Sequence, residues 1–103
     1  MQRKKMVSLI FVSTLLLGCT KAFKNLEPRE ATHALGVCSA YHMVVKKDLD
    51  TLSEKIRTLM SYSNVRGNLT DVGQDWIARY FMGDKEVLLQ EATEGCRVSG
   101  LPT

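Results

Sequence analysis

Between Glu30 and Ser63 the apolar side of the chain recurs at alternating steps of three and four, through Leu35, Cys38, His42, Val45, Leu49, Leu52, Ile56 and Leu59. That spacing puts all eight on one helical stripe and holds a heptad seam for about three and a half repeats. Val37, Tyr41, Val44 and Met60 widen the stripe to the breadth a globular bundle needs. An unbroken helix over this stretch would be about 50 Å long, more than a small compact domain accommodates. Asp50-Thr51-Leu52-Ser53-Glu54 offers the interruption, with Thr51 as N-cap and Glu54 placed to complete a capping box. The pattern therefore predicts two helices joined near Lys47–Asp50, with one long helix as the alternative.

Asn64 to Leu69 reads as a loop from its Asn and Gly content. Thr70 or Asp71 is predicted to cap a helix carrying Val72, Trp76, Ile77, Tyr80 and Phe81. Gly83-Asp84 ends that helix and opens another, with Asp84 as N-cap and Val87, Leu88, Ala92 and Cys96 on one face. Gly100-Leu101-Pro102 closes it. No stretch of useful length alternates as a strand would. The expected fold is all-α, a small bundle of three or four helices.

The first residues follow a different rule. Arg3, Lys4 and Lys5 precede an uncharged run from Met6 to Thr20, the layout of a secretory signal peptide. A run of about 15 residues is shorter than the roughly 18–20 needed to cross a bilayer as a helix, so a permanent span is not expected. Leu16-Leu17-Gly18-Cys19 resembles the lipobox of bacterial lipoproteins, although Leu17 departs from the commoner Ala or Ser. The resemblance implies a diacylglyceryl group on the Cys19 thiol, cleavage between Gly18 and Cys19, and acylation of the new amine. By the same analogy Thr20, in place of an Asp, points to the outer membrane with the domain facing the periplasm. Cleavage after Ala22 without any lipid is the alternative. The resemblance covers residues 1–19 alone. It divides the chain into a signal peptide (1–18), a lipidated tether (19–29) containing Pro28 at a helix start, and a helical domain (30–103).

Charge takes its meaning from that division. The chain carries 14 basic and 11 acidic side chains. Arg3, Lys4 and Lys5 belong to the signal segment, which holds no acid, so residues 19–103 are left with 11 of each sign. A balanced domain has no basic field with which to attract nucleic acid. The cysteines divide in the same way. With Cys19 lipidated, Cys38 and Cys96 remain as an even pair in an oxidising compartment and are expected to form a disulfide. A redox-active or metal-binding thiol is the alternative, but no CxxC or other close partner supports it.

Catalytic chemistry finds little support. His33 and His42 lie nine positions apart, so on one helix they face opposite ways and cannot share a metal. Cys38 and His42 stand four apart and could share one, but Cys38 is assigned to the disulfide. His42 could tune packing with pH, though the sequence shows no partner for it. Asp48 and Asp50, and Glu91 and Glu94 with Lys85 and Arg97 in reach, read as solvated charges, as do Lys46 and Lys47. Ser61 and Ser63 have no neighbouring His, and no hydrolase, metalloprotease, P-loop or dinucleotide motif is present. Asn68-Leu69-Thr70 matches a glycosylation sequon that a bacterial lipoprotein would not normally use.

Neither an enzyme nor a cofactor other than the covalent lipid is expected, nor any metal or small-molecule substrate. Trp76, Ile77, Tyr80 and Phe81 form two adjacent stripes, one expected to fill the core and the other, where exposed, a protein-binding surface or a membrane-resting edge. The expected role is a lipid-anchored, non-catalytic adaptor or accessory protein of an envelope assembly. A plasmid- or phage-type exclusion or inhibitor lipoprotein is the alternative, and a small hydrolase the third class.

Overall fold

The computed structural model describes residues 22–103. The expected signal peptide (1–18) and the expected lipidation site, with Gly18, Cys19 and Thr20, lie outside the described residues. Four α-helices follow a single 3₁₀ turn at Phe23–Asn25. They are α1 (Pro28–Tyr41), α2 (Leu49–Met60), α3 (Leu69–Met82) and α4 (Lys85–Ser99). No strand occurs among the described residues. The fold is an all-α bundle, and Cys38 is bonded to Cys96.

Helix α1 starts at Pro28, where a residue without an N–H loses nothing. The stretch expected to be only a tether does more. Phe23 and Leu26 are buried, and the Asn64 side-chain amide donates to both their carbonyls, at 2.9 and 3.1 Å. The domain therefore begins before residue 30. Thr32 fixes the same loop from the helix, accepting from the Arg66 N–H at 2.9 Å.

The seam breaks where expected, by a different device. His42–Lys46 winds as a π-helical turn continuous with α1, and Lys47 then takes the left-handed conformation at φ 55°. Asp48 is the N-cap of α2, not Thr51, which lies inside the helix and donates its hydroxyl to the Asp48 carbonyl at 2.7 Å. Likewise the N-cap of α3 is Asn68, ahead of both Thr70 and Asp71. Asp84 does cap α4.

Helix α1 is the hub, with α2, α3 and α4 all packed on it. His33 meets Glu91, Cys38 meets Cys96 and His42 meets Pro102, so α1 and α4 advance in the same direction. Two glycines let helices close on the hub. A methyl at Gly36 would lie 2.7 Å from Val72 Cγ1, and one at Gly95 only 2.7 Å from the Ala34 carbonyl oxygen. The core divides around α1. One half gathers Leu35, Leu52, Ile56, Leu101 and the disulfide with Phe23 and Leu26, and the other gathers Val37, Ala40, Trp76, Leu88 and Ala92.

Candidate partner-binding groove

The four aromatic-segment residues part company in the structure. Trp76 is fully buried, and its indole N–H donates to the Leu88 carbonyl at 3.0 Å. It belongs to the core and cannot touch a partner. Tyr80 stacks on it with ring centroids 5.0 Å apart. Phe81 stands in solvent at the end of α3. Ile77 is half-buried and faces a groove that the sequence did not single out.

That groove lies between α2 and α3, which both rest on α1 and share little contact with each other. Gly36, Ala40 and Gly73 form a low floor, because none carries a side chain beyond Cβ. Leu49, Ile56 and Met60 wall one side, Leu69 and Ile77 the other, and Met43 overhangs one end. The cavity is about 580 Å³. Its lip is polar, with Ser53, Thr70 and Gln74, and Arg57 is the only charged lining residue among the described residues. Met43 and Met60 are both half-exposed, and unbranched thioether side chains adapt to an incoming apolar surface. The sequence signal was the small-residue spacing of Gly36, Ala40 and Gly73, which reads as ordinary helix composition until two helices are seen to diverge above it.

The titratable groups lie elsewhere. His42 is buried, with Nδ1 2.7 Å from Asp48 Oδ1 and Nε2 2.6 Å from the Pro102 carbonyl oxygen. A neutral imidazole has one N–H, so only the doubly protonated ring donates to both acceptors. The partner missing from the sequence is thus Asp48, six residues on. The arrangement ties the α1–α2 joint to the C-terminal residues, and Tyr41 adds a hydroxyl bond to the Thr103 carbonyl at 3.2 Å. Cys38, Cys96 and His42 bring their ligand atoms within 4.8 Å of one another. Two thiolates and an imidazole would suit a thiophilic metal, but here the sulfurs are bonded together and both ring nitrogens are engaged.

His33 lies on a different face of α1, exposed, with Nε2 2.8 Å from Glu91, whose other oxygen is 3.5 Å from Arg79. Glu91 thus bridges α1 and α3 instead of pairing with Lys85. The Lys85 ammonium donates to the Tyr80 carbonyl at 3.2 Å and sits 4.5 Å from that ring's centre. Glu94 does pair with Arg97, whose hydrogen bond holds the Glu94 carboxyl below the usual range against the opposing effect of burial, with the Arg97 charge adding a smaller lowering. Among the described residues no helix is long and apolar enough to cross a membrane. Comparison of the chain with protein-family models, curated proteins and solved structures finds no match.

Proposed function

We propose that the chain is a small bacterial lipoprotein, anchored through Cys19 to the outer membrane, that works in the periplasm as a non-catalytic adaptor. Its partner would be an envelope protein that lays one apolar helical face into the groove between α1, α2 and α3. The groove itself supports this reading best. It is floored by small residues, walled by two diverging helices and edged by half-exposed methionines, the form that takes an amphipathic helix. Arg57 at the lip would favour a partner helix with an acidic position beside its apolar stripe. This moves the expected contact surface from the aromatic segment as a whole to Ile77 and the residues facing it.

Affinity capture from envelope extracts tests the reading. Met43→Glu and Met60→Glu place charges at half-exposed positions and should leave the helical circular dichroism unchanged. Together they are expected to lower recovery of the envelope partner at least about tenfold, corresponding to about 1.4 kcal/mol of binding free energy. Unchanged recovery with the double variant would remove the groove from the function. Intact mass of the membrane-fraction protein, beside Cys19→Ala, tests the lipid. The wild type should begin at Cys19 and carry acyl chains, and the variant should not.

A further inference from the structure

A second exposed apolar surface lies at the α3–α4 corner. Phe81, Met82 and Val87 are 64%, 85% and 58% exposed, with only the tight Gly83-Asp84 turn separating the two helices that present them. Three large apolar side chains clustered in solvent at one corner need a reason that isolated ones do not.

Their position supplies it. Helices α1 and α4 run in the same direction with a constant offset of 58 residues, since His33 faces Glu91 and Cys38 is bonded to Cys96. By that register Lys85, the first residue of α4, lies level with Glu27, just before α1 begins. The α3–α4 corner is therefore at the end of the molecule where the chain enters the described region. Asn64 holds Phe23 and Leu26 at that same end. Cys19 precedes Ala22 by three residues, a reach of about 11 Å at most. A lipid on Cys19 would bring a bilayer to this end and to no other.

We propose that this end of the domain rests on the bilayer that carries the lipid, with Phe81, Met82 and Val87 seated at the boundary between headgroups and acyl chains. The inference depends on Cys19 being acylated, as proposed above. Charge at the corner is balanced, with Arg79 and Lys85 against Asp84 and Glu86. Apolar insertion, not net charge, sets the contact. The Lys85 ammonium, 5.4 Å from the Phe81 ring centre, would leave the Tyr80 carbonyl to reach the phosphate layer while its stem covers the apolar surface. Seated this way, the domain stands with its C-terminal end away from the membrane, and the groove along its side is left open to a partner.

The test uses the full chain purified from the membrane fraction and reconstituted in phosphatidylethanolamine–phosphatidylglycerol vesicles, with and without brominated acyl chains. Trp76 is the only native tryptophan and is buried, so it serves as the internal reference. Phe81→Trp at an exposed site is expected to add an emission that brominated lipid lowers about twofold or more. Raising salt to about 1 M, where the Debye length is about 3 Å, should leave that quenching unchanged. Thr103→Trp, at the opposite end, should stay unquenched. If the emission added by Phe81→Trp in an acylated protein ignores brominated lipid, the inference is overturned while the lipid anchor stands. Equal quenching at both ends would overturn it as well. So would a shielded, unquenched Phe81→Trp indole in a cross-linked dimer, which would assign the corner to a second copy. An intact mass without acyl chains would remove the anchor, and this inference with it.

Discussion

At the scale of single residues, neighbouring positions on one helix have opposite roles. Trp76 and Phe81 belong to the same aromatic segment, yet one is the largest fully buried side chain and the other projects into solvent. Trp76→Ala should cost about 3–5 kcal/mol, because it opens a cavity beneath Leu88 and Ala92 and strips a donor from the Leu88 carbonyl. Phe81→Asp should stay within about 0.5 kcal/mol, as exposed substitutions generally do. Urea melts of the two variants check the contrast, and equal losses would contradict the assignment of Trp76 to the core. Glu94 gives a prediction in pH. Its carboxyl titrates below the usual range because Arg97 stabilises the charged form. A lowered folded value means that the pair's contribution is complete above the unfolded pKa and lost as pH falls through the folded one. Arg97→Gln should return the Glu94 titration, followed by carboxyl-carbon NMR, to the ordinary range. Both groups are exposed, so global stability should hardly move.

At the scale of elements, the break between α1 and α2 was legible and its mechanism was not. The seam through Leu35, Cys38, His42, Leu52 and Ile56 is buried as its spacing predicts, while Val45, Leu49 and Leu59 are only partly covered. Thr51 and Glu54 matched a capping box, but the chain reverses its twist four residues before Thr51, at Lys47. A left-handed lysine leaves no mark in sequence, since Gly or Asn would be the usual occupants. Because Lys47 is exposed at φ 55°, Lys47→Gly should relieve the Cβ clash and raise stability by about 1 kcal/mol, net of the greater freedom glycine has when unfolded. Equilibrium denaturation measures it, and a loss on substitution would mean that the Lys47 side chain itself holds the turn.

At the scale of the whole molecule, the disulfide joins two helices that run in parallel and are therefore far apart along the chain. The loop it closes spans a sequence separation of 58 residues and corresponds to about 4 kcal/mol in the chain-entropy treatment. The bond also lies in the core beside His42, so its loss leaves a gap as well as a freer unfolded chain. Reduction, or the paired change Cys38→Ala with Cys96→Ala, should lower the unfolding free energy by that order. A loss below about 1 kcal/mol would show that packing on α1 suffices. The groove and the corner also belong to this scale. Gly36 and Gly95 let α3 and α4 approach the backbone of the hub, and the groove opens where α2 and α3, both packed on it, share little contact with each other.

The sequence by itself determined the helices and the stripe that faces inward, because those follow from local periodicity, while the expected pairing of Cys38 with Cys96 rested on setting Cys19 aside by its resemblance to a lipobox. The expected signal peptide and the resemblance to a lipobox are equally local, being read from residues 1–19 alone. Tertiary structure alone decided which aromatic was core, that Asp48 and Pro102 embrace His42, and that an apolar groove opens between α2 and α3. Periodicity tells a helix which face to bury but not how much of that face its neighbours reach, and the uncovered remainder is where a partner can bind.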